Sequence, residues 1–72
     1  MKWEKPIGKT STIDKVGYYD EDETLTVMFK DGGVYEYYDV PKIVYHQLLF
    51  SETPGKILAK EVKGRYEHER ID

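Results

Sequence analysis

Leu25, Val27 and Phe29 alternate with Thr26, Met28 and Lys30, a period of two that marks a half-buried β-strand. A strand from Ile13 to Tyr19 precedes it and one from Val34 to Tyr38 follows, so the first half of the chain reads strand, turn, strand, turn, strand. A four-residue turn over Asp20–Glu23 sets Tyr19 opposite Thr24, Tyr18 opposite Leu25 and Val16 opposite Val27. Opposed residues of an antiparallel pair project to one side, so Val16 and Tyr18 join the apolar face. Two registers compete at the second turn. A two-residue Asp31-Gly32 turn would send Glu36 into the core. A three-residue Asp31-Gly32-Gly33 loop, with a glycine in the left-handed conformation, pairs Phe29 with Tyr35 and Val27 with Tyr37. The second is adopted here, because a slip of one residue would turn both tyrosines away from the core.

After Asp39 the period changes. Pro41 suits a helix's first turn, and Asp39 is placed to cap it or to put negative charge at its N-terminus. Val44 with Leu48 and Tyr45 with Leu49 form i,i+4 pairs over two turns. Ser51 to Gly55 interrupts this helix. A second follows, with Ile57, Leu58 and Val62 as its apolar side and Gly64 as its stop. The first ten residues, with Pro6 and Gly8, read as an extended arm in which Trp3 docks on the body. The tail from Arg65 to Asp72, with Tyr66 its only ring, is placed to return along a sheet edge.

A length of 72 residues means one domain near the lower limit for folding without a staple, and with no cysteine there is no disulfide or thiolate metal site. The core must come from the 39% hydrophobic residues, helped by seven tyrosines that bury a ring while keeping the hydroxyl wet or bonded. The apolar runs are too short for a transmembrane helix, and the N-terminus lacks the apolar stretch of a secretory signal, so a reduced, cytoplasmic setting is expected. Net charge is −3 but uneven: residues 14–39 carry two lysines against eight carboxylates, whereas residues 53–66 carry four cations against Glu61.

The ordered set Ser11 and Ile13, Val16-Gly17-Tyr18, Leu25-x-Val27-x-Phe29, Gly33, Tyr35-x-Tyr37, Val40-Pro41, Val44-Tyr45, Leu48, Ser51, Gly55 and Lys63-Gly64-Arg65-Tyr66 resembles the KTSC domain family over nearly the whole chain. That family takes its name from a domain at the C-terminus of some lysyl-tRNA synthetases, and it also occurs as small free-standing proteins of bacteria and phages. Its role is uncharacterised, with RNA binding suggested. The resemblance therefore implies a bacterial or phage cytoplasmic protein and offers nucleic acid as a ligand. Ile57-Leu58-Ala59 stands where the family carries an aromatic pair followed by asparagine, so any polar contact made there by relatives is missing.

Candidate chemistry is sparse. Lys56, Lys60 and Lys63, spaced i, i+4, i+7, form a stripe along the second helix with Arg65 just beyond, and each cation could contact a phosphate. The competing account is a solvated helix face that favours the helix dipole. Tyr35-x-Tyr37 could stack on bases, but the register assigns both rings to the core. Gly8-Lys9-Thr10 lacks the strand and first glycine of a phosphate loop. Asp20, Asp22 and Thr24 lack the glycine and glutamate of a calcium loop. His46 and His68 have no cysteine to complete a metal site, and Ser11 and Ser51 suit turns or caps better than a nucleophile's role.

The expected architecture is α+β: a three-stranded antiparallel meander covered on one face by two short C-terminal helices, with residues 1–10 as an arm and 11–72 as a single domain. The expected function is a non-catalytic binding module without cofactor, metal, membrane association or small-molecule substrate. Two partners stay open. One is RNA or another nucleic acid, held at the Lys56/Lys60/Lys63/Arg65 edge. The other is a protein or a second copy, met by the outer sheet face with Tyr19, Met28 and Tyr38 or by a strand end.

Overall fold

The computed structural model describes residues 1–72. Its order is β1 (Ile13–Tyr19), β2 (Thr24–Phe29), β3 (Val34–Tyr37), α1 (Lys42–Phe50), α2 (Pro54–Ile57) and β4 (His68–Arg70). The chain runs on from α2 as a π-helical turn over Leu58–Val62, closed by Lys63 N–H donating to the Leu58 carbonyl at 2.9 Å. The sheet is antiparallel with strand order β1-β2-β3-β4.

The fold class is α+β, with one strand more than the pattern predicts. β4 is exposed at all three positions and has no apolar alternation to betray it. It forms because the tail returns along β3, pairing Tyr37 with His68, Glu36 with Glu69 and Tyr35 with Arg70.

The β1–β2 register is the expected one, Val16 facing Val27 and Tyr18 facing Leu25. The β2–β3 register differs by two residues, with Val27 opposite Tyr35 and Leu25 opposite Tyr37. The loop still has three residues, but it is 30–32 instead of 31–33. Phe29 N–H bonds the Gly33 carbonyl at 2.8 Å, and the left-handed glycine is Gly32 at φ 97°. A two-residue shift preserves side-chain direction, so both tyrosines still face inward.

Two rows of side chains therefore cross the inner face. One is Tyr18, Leu25, Tyr37 and His68; the other is Val16, Val27, Tyr35 and Arg70. Both pass from apolar groups at β1 to cationic or titratable groups at β4. The outer face carries Gly17, Thr26, Glu36 and Glu69 in the corresponding row.

Val44, Tyr45, Leu48 and Leu49 of α1, with Leu58 and Val62 of the π turn, seal the β1–β2 half of the inner face into one core. Pro41 is the N-cap rather than a residue of the first turn. Asp39 provides no cap: it lies two residues earlier with φ at 57°. The link to α1 is held by Val40, whose N–H bonds the Glu23 carbonyl at 2.9 Å and whose carbonyl accepts the Tyr18 hydroxyl at 2.6 Å. Tyr18 stacks on Tyr45, centroids 5.3 Å apart. The arm pairs with the free edge of β1 through Glu4 and Val16, then Ile7 N–H reaches the Leu49 carbonyl at 2.9 Å; Trp3 is half-buried. No helix is long and apolar enough to cross a membrane.

Candidate nucleotide-binding groove

Lys56 and Lys60 of the predicted stripe lie on the continuous helical run 54–62, and Lys63 falls beyond its end. Lys56 borders a shallow depression with Thr10 and Thr12, whereas Lys60 borders another with Gln47 and Phe50. Lys63 belongs to neither. Helical backbone ends at Val62, and Lys63 is extended, with φ −63° and ψ 129°. An i, i+7 spacing keeps two residues on one side only while the helix continues. Arg65 is exposed two residues further on.

Lys63 instead overhangs the β3–β4 end of the inner sheet face, where the helices leave the rows uncovered. A groove of about 380 Å³ opens there between Phe29, Asp31, Tyr35, Lys63, His68 and Arg70. Tyr37 forms its floor and is 3% exposed, so the expectation of a core role fits this ring. Tyr35 is different: it packs against the core's edge but keeps a half-exposed ring.

The groove is aromatic and cationic together. Phe29 meets Tyr35 edge-on, centroids 5.5 Å apart at 86°. His68 lies against Tyr37 at 5.4 Å and Tyr35 at 6.1 Å. Lys63 Nζ is 5.5 Å from the Phe29 ring centre, and the Arg70 guanidinium carbon is 5.7 Å from that of Tyr35. Cations at that range are attracted to the ring faces. Arg70 is further oriented by its Nε, which donates to the Asp72 carbonyl at 2.9 Å. Burial raises the Tyr37 phenol above its ordinary 10.0, with the neighbouring Tyr35 adding to the shift.

Phe29, Gly33, Tyr35 and Lys63 belong to the pattern that carries the family resemblance. Their role at a concave site was hidden because Arg70 and His68 come from a tail with no recognisable periodicity. Only the pairing of β4 with β3 puts those two side chains beside Tyr35. The signal available was the alternation His68-x-Arg70, which places both on one side of any strand the tail might form.

Other sequence candidates are accounted for locally. Thr10 Oγ1 accepts the N–H groups of Thr12 and Ile13, each at 3.2 Å, so Gly8-Lys9-Thr10 introduces a turn into β1. Ser51 caps the end of α1 and accepts the Thr53 N–H at 2.9 Å. Asp20 pairs with Lys42 at 2.6 Å. His46 and His68 lie on different elements, and no three His, Cys, Asp or Glu side chains converge as metal ligands. A wider depression, about 730 Å³, is lined by Glu4, Asp20, Glu21 and Asp22 against Lys2 and Lys42, which pair with Glu4 and Asp20, so its net charge is negative and disfavours phosphate.

One antiparallel sheet with helices on a single face defines a small α+β domain, and the order and register of its elements have close counterparts among known proteins. The KTSC domain model matches residues 9–66, and the chain belongs to that family. The chain is 36% identical over 67 residues to a lysine–tRNA ligase of Nostoc punctiforme, a match covering 93% of this chain and 12% of the ligase. It thus spans about an eighth of the length of the ligases it resembles. A protein of Tsukamurella paurometabola is 34% identical over 58 residues, 81% of this chain and 87% of that protein. A KTSC domain protein from Yersinia pestis superposes with a TM-score of 0.88 at 22% identity, covering 99% of this chain and 97% of that one.

Proposed function

We propose that this KTSC domain is a non-catalytic module that binds single-stranded RNA, one base stacking in the β3–β4 groove. The observation that carries the reading is the half-exposed Tyr35 ring flanked by Lys63 and Arg70. A base needs an aromatic or guanidinium plane, its phosphate needs a cation, and duplex geometry offers neither an unstacked base nor a narrow enough shape. The groove replaces the helix edge as the centre of the site. Lys56, Lys60 and Arg65 then act as an outer field that attracts flanking phosphates. The similarity to part of lysine–tRNA ligases supports an RNA setting without defining the RNA.

The test is titration of labelled single-stranded and duplex RNA at low salt. Binding of the single strand should be stronger, should fall steeply with salt, and should weaken on the order of tenfold in K63E/R70E, whose salt slope should also flatten. Absence of binding below roughly 100 μM, or equal binding by K63E/R70E, overturns the reading.

A protein-contact role has one observation in its favour, and it moves the surface. On the outer sheet face expected to make such a contact, Tyr19 is 40% exposed, whereas Tyr38 is half-buried with its hydroxyl on Glu36, which opposes Glu69. Ile43 and Phe50 of α1, in contrast, are 61% and 60% exposed. A concentration series by sedimentation distinguishes the two roles, since self-association through these side chains would resist salt.

A further inference from the structure

Two opposite charges face the groove without neutralising each other. The side-chain ion pairs within 4.0 Å are Lys2–Glu4 and Lys42–Asp20, so Asp31 and Arg70 are not paired with each other, and Arg70 bonds the Asp72 main-chain oxygen through Nε. Yet both approach one point. A Cβ built on Gly33 would lie 3.2 Å from Asp31 Oδ1, 3.5 Å from Tyr35 Cε1 and 3.6 Å from Arg70 Nη2. The backbone does not demand glycine there, because Gly33 lies outside the left-handed region. What the missing side chain provides is a tight gap between carboxylate, ring and guanidinium, in which even a Cβ would crowd Asp31 Oδ1.

Asp31 is also fixed in place. Its Oδ1 accepts the Gly33 N–H at 2.9 Å, which leaves Oδ2 without a protein partner. An ionised carboxylate only accepts, and in a groove meant for phosphate alone it would oppose binding. It becomes useful if the ligand turns hydrogen-bond donors toward it.

From this arrangement we infer that the groove selects guanine: Asp31 accepts from the base's Watson–Crick edge and Arg70 donates to the adjacent O6, with the ring against Tyr35. The inference rests on the nucleotide-binding reading and adds the identity of the base. Guanine alone among the four bases presents two neighbouring donors, N1–H and N2–H, followed by an acceptor. Adenine and cytosine turn a ring-nitrogen lone pair toward the carboxylate, and uracil has one donor between two carbonyls. Guanidinium to guanine O6 is a common specific contact. Lys63 is left for the phosphate.

The experiment uses the full chain and five-nucleotide RNAs in which a central guanosine, adenosine, cytidine or uridine is flanked by uridines, with inosine as a fifth probe. Guanosine should bind on the order of tenfold more tightly than the other three standard bases. Inosine, which lacks the N2 amino group, should lose part of that advantage. D31N retains an oxygen for the Gly33 N–H but not a second acceptor, so inosine should then equal guanosine and the guanosine advantage should shrink to what the Arg70–O6 contact sustains. G33A, which fills the gap without violating its backbone conformation, should weaken every probe while leaving the melting temperature within a few degrees. Equal binding of all four bases by the wild-type protein overturns guanine selection and leaves the stacking reading intact. A guanosine advantage over inosine that survives in D31N likewise overturns it. No binding of any probe removes the nucleotide-binding reading itself.

Discussion

Tyr18 and Tyr45 stack on each other, yet their hydroxyl groups should differ sharply in value. The Tyr18 hydroxyl donates to the Val40 carbonyl at 2.6 Å in a buried setting, whereas that of Tyr45 reaches Glu4 Oε2 at 3.4 Å in a part-buried one. Tyr18→Phe keeps the ring and deprives a buried carbonyl of its donor, at a cost of about 1–3 kcal/mol. A domain of this size has about 4–11 kcal/mol to lose, and each kcal/mol lowers its melting temperature by about 4–8 °C. Tyr18→Phe should therefore lower it by at least about 4 °C. Tyr45→Phe removes a bond near the geometric limit that water can replace, and should cost about 0.5 kcal/mol or less. Because Val40 follows the left-handed Asp39 and leads into α1, the Tyr18 bond also sets the helix's entry. Thermal and urea unfolding of both variants is the assay. Equal losses, or a greater loss for Tyr45→Phe, would refute the assignment of Tyr18 as the anchor of this connection.

Two more outcomes follow from buried polar groups. Thr26 is 2% exposed and its hydroxyl has no partner, so Thr26→Val, nearly the same shape, should raise stability by up to about 1 kcal/mol; a loss in urea unfolding would mean the hydroxyl is bonded. Burial raises the phenol pKa of Tyr18, Tyr37 and Tyr45 above 10.0, with nearby carboxylates adding to the shift at Tyr18 and Tyr45. Above pH 10 the unfolded chain releases these protons first, so their contribution is present below that pH and is lost as pH rises through the folded-state values. Unfolding midpoints should fall steadily above about pH 10, and a midpoint that stays constant above that pH while tyrosinate absorbance grows would contradict this.

Much of the core was legible because strand periodicity is strict. Val16, Tyr18, Leu25, Val27 and Tyr37 alternate with polar or small neighbours, and any register of correct parity puts them together beneath α1. Parity, however, is all that alternation provides. The two-residue shift between β2 and β3 was set by which glycine adopts the left-handed conformation, and two adjacent glycines were equally eligible by composition.

The candidate site was harder to read, since its parts come from five places in the chain: the end of β2, the turn after it, β3, the residue that leaves the π-helical turn, and the tail. Residue order alone established the faces of the strands, the apolar sides of the helices and the basic balance of residues 53–66. Tertiary structure alone decided that Lys63 leaves its helical stripe, that β4 exists, and that Arg70 stands beside Tyr35. Local patterns record which side of an element meets the core. They brought the tail back to a sheet edge, as it is found, but carry no record of which edge or register it takes, because that depends on free backbone groups along β3 finding partners and not on any side chain seeking burial.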